Sequence, residues 1–158
     1  MSFRTLSAAA GIALVLIYMI GSSLWVNTGD NWYRDLAKPS WQPPSYLFGL
    51  IWPYNFIVIA IASVLIAQRA SKLTTFIYLA FFALSVAAAL TWAFQFYRPH
   101  NFLASAIALT ATALLTIPMT YIVVTISIPM AVAFAPYQLW VATAASLSWG
   151  YWHLARLT

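Results

Sequence analysis

The side chains able to do covalent or proton-transfer chemistry are few. Asp30 and Asp35 are the carboxylates, His100 and His153 the imidazoles, and there is no cysteine. Two acids five residues apart in a polar interval do not make a buried general acid–base pair. A Ser-His-Asp arrangement needs an acid near His100 or His153, and the sequence suggests none. Without cysteine, disulfides, thiolate nucleophiles and thiolate metal sites are excluded. Either histidine has the donor atom for haem iron, but both lie near predicted helix ends, where an interfacial polar role fits better. Aromatic surface is what the chain has in excess: 8 Trp, 9 Tyr and 10 Phe.

Those rings must be held by membrane helices. The chain is 64% hydrophobic and only 6% charged, whereas about a quarter of residues are charged in a soluble domain. No charge falls between Arg4 and Asp30, Lys38 and Arg69, or Lys72 and Arg98. Each interval exceeds the ~20 residues that cross a bilayer core. The uncharged run from Arg98 to Arg156 is long enough for two more crossings. The fold class expected is an all-α integral membrane protein, a single five-helix bundle over residues 1–158. The first apolar run resembles a signal peptide but is too long for one, and is read as a retained helix. The net charge of +5 is scattered over chain ends and short loops, so no basic face for nucleic acid is expected.

The expected helices cover about residues 5–26, 44–68, 73–97, 102–125 and 130–155, with a capping loop at 27–43. Asn27-Thr28-Gly29-Asp30-Asn31 ends the first, because these side chains compete for backbone hydrogen bonds. Pro43-Pro44 suits the start of the second. Ser127-Ile128-Pro129 is the turn between the last two. Pro53, Pro118 and Pro136 fall inside helices and are expected to free the carbonyls of Gly49, Leu114 and Val132. Five crossings place the loop, His100, His153 and Arg156 on one membrane face. Basic residues are too evenly divided between the two faces to give absolute orientation.

Helical spacing puts Phe48, Trp52, Asn55 and Ile59 on one face of the second helix. It puts Trp140, Ala144, Leu147 and Tyr151 on one face of the fifth. The third offers Leu84, Ala88, Thr91 and Gln95, and the fourth Ser105, Thr112 and Thr116. Polar groups in hydrocarbon turn inward, so Asn55, Thr91 and Gln95 are expected to face the interior. An aromatic wall beside small residues and a few polar groups is how pockets for apolar ligands are built. Close helix packing with no cavity is the alternative. Trp25, Tyr97, Trp149 and Trp152 are expected at the interface. Leu147, Tyr151 and Arg156 match a weak sterol-contact pattern. Ala80, Ala83 and Ala87 form a small-residue strip on the third helix, suited to close helix approach.

Trp32-Tyr33, Leu36, Lys38-Pro39, Trp41 and Pro43-Pro44, followed by Phe48 and Trp52, resemble the signature of the translocator proteins. These are also called tryptophan-rich sensory proteins or peripheral-type benzodiazepine receptors. Pro136-Tyr137-x-x-Trp140 with Ala144 and Leu147 is similar to the family's last-helix pattern. The resemblance covers essentially the whole chain and suggests a bacterial-type member. It departs at Ala88, where many members carry Asn, and at Leu147-Ser148, where Leu-Asn is frequent.

The resemblance implies a five-helix bundle with a pocket beneath the first loop. It implies ligands such as protoporphyrin IX, haem and sterols, no required cofactor, and homodimers, often through the third helix (Ala80, Ala83, Ala87). Carried over by position, Ser23, Tyr33, Trp52, Gln95, Trp140, Ala144 and Leu147 are ligand-binding candidates. Pro44, Phe48 and Asn55 join them from the facing helix, and Arg34, Lys38 and Arg98 are candidates to meet ligand carboxylates at the mouth. Three activities are compatible: a receptor or carrier for porphyrins, a ligand-responsive regulator, or light- and oxygen-dependent porphyrin degradation with Trp52 and Trp140 as oxidisable partners. The location implied is a bacterial cell membrane, inner or outer.

Overall fold

The turns of this chain are set by polar residues that cap the helix following them. In the computed structural model, which describes residues 1–157, Ser2 accepts from the Thr5 amide, Ser71 from Thr74, Asn101 from Ala104 and Ser127 from Met130. Such caps each contribute on the order of 1 kcal/mol and fix where a helix begins. The helices are α1 (Phe3–Ser23), α2 (Asn31–Asp35), α3 (Ser45–Arg69), α4 (Lys72–Tyr97), α5 (Phe102–Ile126) and α6 (Ile128–Ala155). All but α2 are long and apolar enough to cross a membrane.

Two details differ from the sequence-based expectation. The capping loop holds a short helix, α2, because Asp30 accepts from the Trp32 amide and starts a turn. α1 stops at Ser23, three residues before Val26, with the Ser22 and Ser23 hydroxyls bonded back to the Met19 and Ile20 carbonyls. Between α5 and α6 a single residue, Ser127, leaves helical geometry. His100 takes a left-handed conformation (φ 56°) in the turn from α4 to α5.

α1 packs on α3 and α4, α4 on α5, α5 on α6, and α6 on α3, closing a ring. α4–α5 and α5–α6 are the most extensive contacts, whereas α3 and α6 meet over a shorter length. The half of the bundle away from the cap is dense. Ile59, Tyr78, Phe82, Phe134 and Tyr137 are fully buried there. α1 reaches α3 closely because Gly11 has no side chain; a Cβ there would come 2.5 Å from Ser63 Cβ.

The outward surface is apolar, with Ile17, Ile61, Phe76, Leu84, Leu114 and Leu139 all exposed, which suits contact with lipid chains. Thr91 corrects an expectation. It is exposed, because its hydroxyl donates to the Ala87 carbonyl at 2.8 Å and so needs no interior partner. Leu84, on the same stripe, also faces outward. Near the helix-interior prolines, side chains of other helices reach backbone carbonyls. Gln138 Nε2 donates to Ala113 at 3.1 Å, and Tyr54 donates to Ala133 at 2.7 Å.

Candidate functional site

At the cap end the helices part around a cavity of about 780 Å³, within the roughly 300–1,000 Å³ of small-molecule sites. α6 supplies one wall with Trp140, Ala144, Leu147, Ser148 and Tyr151, which recur at helical spacing. Facing it, α3 supplies Ser45, Phe48, Gly49, Trp52 and Phe56. α1 contributes Tyr18, Ser22 and Ser23, and α4 contributes Trp92, Phe96 and Tyr97. Thr28, Tyr33 and Gln42 close the top.

The rings hold one another edge to face. Phe48 meets Trp140 at 5.0 Å and 75°, and Tyr18 meets Trp52 at 5.8 Å and 78°. Phe96 meets Tyr151 at 5.1 Å and 78°. Such pairs add about 0.5–1.5 kcal/mol each beyond burial and fix ring orientation. Trp92 Nε1 donates to Ser148 Oγ at 3.0 Å, tying α4 to α6 across the cavity. Polar atoms on the wall are few and none of the lining side chains is charged.

The cap is fastened to α6. Trp41 Nε1 donates to Ser146 Oγ at 3.3 Å, and Tyr151 hydrogen-bonds Gln42. Pro39 and Trp41 lie so close over Gly150 that a Cβ there would meet Pro39 Cγ at 2.6 Å. On the other side Trp32 stacks on His100 at 3.8 Å and 14°.

The TspO/MBR family model matches residues 8–153 of the chain. The chain belongs to the TspO/MBR family. Among curated relatives, it is 34% identical over 129 residues to the tryptophan-rich protein TspO of Bacillus cereus, covering 81% of this chain and 83% of that protein. The tryptophan-rich sensory protein of Cereibacter sphaeroides is 28% identical over 142 residues, 86% of this chain and 87% of its own length. Protein CrtK of Rhodobacter capsulatus is 27% identical over 149 residues, covering 90% and 93%. Five spanning helices and these relatives make the chain a multi-pass bacterial membrane protein.

In this TspO/MBR protein, Ser23, Tyr33, Phe48, Trp52, Trp140, Ala144, Leu147 and Tyr151 all line the cavity. Other expected site residues do not. Pro44 stands at the N-cap of α3 and presents Ser45 instead. Asn55 is fully buried but lies off the lining. Gln95 is half-buried and rotated round α4 from the face that carries Trp92 and Phe96. Ala88 likewise stands off the lining.

The three cations do not line the cavity either. Arg98 donates to the Leu24 carbonyl at 3.3 Å, linking the ends of α4 and α1. Arg34 bonds Asn31. Lys38 donates to the Arg34 carbonyl at 2.9 Å and sits 5.5 Å from the centre of the Tyr33 ring. His100 and His153 are exposed and outside the lining. Arg156 packs over the Trp152 ring at 4.8 Å, whereas Leu147 and Tyr151 of the sterol-like pattern line the cavity.

Sequence reasoning missed Tyr18, Phe56, Trp92 and Phe96, and it placed Tyr97 at the interface, although it lines the cavity. Trp92 and Phe96 are spaced i, i+4 in an aromatic-rich helix end, a signal that was available. Tyr18 has no such local mark. Ala83 and Ala87 lie exposed on the outer face of α4, with Ala80 half-buried.

Proposed function

We propose that this protein is a membrane receptor or carrier for porphyrins, protoporphyrin IX and haem among them, and for related flat apolar ligands, sterols included. The observation that carries this reading is one cavity walled by Trp52, Trp92, Trp140 and Phe48, with no charged lining side chain and a cap docked over it. Broad π-faces of the ligand stack on the indoles, and its carboxylates stay at the mouth, where Lys38 borders Tyr33. The ligand is cargo, and no cofactor is needed for binding. A homodimer through the outward Ala83 and Ala87 strip belongs to the same reading.

The test is tryptophan quenching by protoporphyrin IX in detergent. A Trp52→Ala, Trp140→Ala double variant is expected to lose on the order of tenfold or more in affinity, each truncated anchor contributing ~1 kcal/mol or more. Unchanged affinity would remove the pocket from consideration. A second reading, photo-oxidative porphyrin degradation, is favoured by Trp52 and Trp140 lining the same cavity. There the bound porphyrin is the photosensitiser and dioxygen the oxidant. Equal rates of absorbance loss with and without protein under illumination would dismiss it.

A further inference from the structure

The end of the bundle opposite the cap carries positive charge without counter-charge. Both carboxylates of the chain, Asp30 and Asp35, belong to the cap. Arg4, Arg69 and Lys72 stand at the other end, at the start of α1, the end of α3 and the start of α4.

Packing brings these three together. α1 and α3 run antiparallel, with Gly11 against Ser63 and the Tyr18 ring 5.4 Å from that of Phe56. Ser7, Gly11, Val15 and Tyr18 are the buried stripe of α1, and Arg4 continues that stripe by one turn. In the same register Arg4 comes level with the α3–α4 turn, which begins at Arg69. Phe3, next to it, has the Lys72 ammonium 5.7 Å from its ring centre. All three cations are exposed. Neither Arg4 nor Arg69 has a side-chain hydrogen bond or ion pair among the described residues. At the cap, by contrast, Arg34, Lys38 and Arg98 each donate to an oxygen of the chain.

A shallow groove of about 500 Å³ leads away from Arg69 along the outward face of α3. Ala60, Ile61, Val64 and Leu65 line it, and Gln68 and Arg69 stand at its outer end. The nine-residue step from Ala60 to Arg69 rises about 14 Å. That is close to the hydrocarbon depth of one leaflet, half of ~30 Å.

We propose that this end of the protein binds an anionic phospholipid, its phosphate among Arg4, Arg69 and Lys72 and one acyl chain laid in the α3 groove. Guanidinium groups suit a phosphate because their N–H donors match its oxygens in pairs. A zwitterionic headgroup brings a further cation to three already gathered, so the anionic lipid is preferred. The groove lies at hydrocarbon depth, out of reach of a soluble partner, and it starts where the phosphate sits. The site is at the opposite end from the cavity and does not depend on what the cavity binds.

The test is native mass spectrometry of the full chain in detergent carrying dioleoylphosphatidylglycerol or dioleoylphosphatidylcholine, titrated to give the affinity of the first bound lipid. Each basic residue near a membrane surface contributes about fivefold. The wild type is therefore expected to hold phosphatidylglycerol about tenfold or more tighter than phosphatidylcholine. Arg4→Gln, Arg69→Gln and Lys72→Gln together are expected to weaken phosphatidylglycerol by about a hundredfold. Arg34→Gln with Lys38→Gln, which removes charge from the cap, is expected to leave the preference in place. Val64→Trp fills the groove and keeps every charge, and is expected to weaken phosphatidylglycerol several-fold at an unchanged melting temperature. Ala60→Phe makes the same comparison should Val64→Trp fail to fold.

Equal affinity for the two lipids in the wild type would overturn the proposal. So would a preference that survives the triple variant, or one that falls equally in the cap variant, the mark of diffuse net charge. Unchanged phosphatidylglycerol binding in both groove variants would take the acyl chain out of the groove. Displacement of the lipid by an equal amount of glycerol phosphate would reveal an anion site that needs no lipid. Either result also overturns the proposal.

Discussion

Gly150→Ala is the sharpest test of how the cap is held. Gly150 lies in α6 directly under the cap, and an added Cβ would stand 2.6 Å from Pro39 Cγ, 2.8 Å from Trp41 Cζ2 and 3.0 Å from Pro39 Cβ. Carbon atoms in contact prefer about 3.5–4.0 Å, so the overlap approaches an ångström against two rigid rings. Overpacking of this kind costs about 1–3 kcal/mol. The helix itself gains up to roughly 1 kcal/mol from the exchange. The strain is therefore relieved by the cap lifting, with the Trp41–Ser146 and Tyr151–Gln42 bonds lost as it goes. If about 2 kcal/mol of the penalty falls on the closed, ligand-bound form, the dissociation constant for protoporphyrin IX rises roughly thirtyfold. Hydrogen exchange over residues 31–46 is expected to quicken while the helical circular dichroism stays constant. Gly29→Ala is the control, as its Cβ would meet only Asn27 Oδ1 at 3.6 Å. Cap exchange and affinity both unchanged in Gly150→Ala would refute the docking described here, whatever the ligand.

Gly11→Ala is expected to lower the melting temperature in detergent, by about 1–3 kcal/mol of overpacking, because its Cβ would lie 2.5 Å from Ser63 Cβ. Adding Ser63→Gly should restore much of the loss, and an uncorrected double variant would disprove the contact. Trp92→Phe keeps a ring in the wall but removes the bond to Ser148. It is expected to weaken porphyrin binding by a few-fold, from about 0.5–1.5 kcal/mol of lost hydrogen bonding, measured by quenching. Arg98→Ala should quicken exchange near Leu24 and Trp25 with little change in melting, because one exposed hydrogen bond between α4 and α1 is removed. Thr91→Val should leave both binding and melting within experimental scatter, since Thr91 faces outward.

What the sequence made legible followed from strong physical constraints. Charge-free runs longer than a bilayer is thick leave a chain little choice but to span it, and the long helices lie where those runs lie. Trp140, Ala144, Leu147 and Tyr151 share a face by periodicity alone, and that face lines the cavity. Thr91 shows where the rule of inward polar residues gives out. A hydroxyl that bonds its own helix carbonyl, as Thr91 does, is not obliged to turn inward. The cations Arg34 and Arg98 were read by proximity in sequence to the mouth. In the fold neither lines the cavity, and each donates one hydrogen bond nearby, Arg34 to Asn31 and Arg98 to the Leu24 carbonyl. Tyr18 could not be found from spacing, because its place in the wall depends on the depth at which α1 crosses α3, a tertiary quantity.

The dense half of the bundle has a consequence for traffic. Below the cavity, Ile59, Tyr78, Phe82, Phe134 and Tyr137 leave no solvent-accessible surface, so the chamber is a cup rather than a channel. A continuous path from the cavity to the opposite end of the bundle would require the buried rings of α3, α4 and α6 to separate.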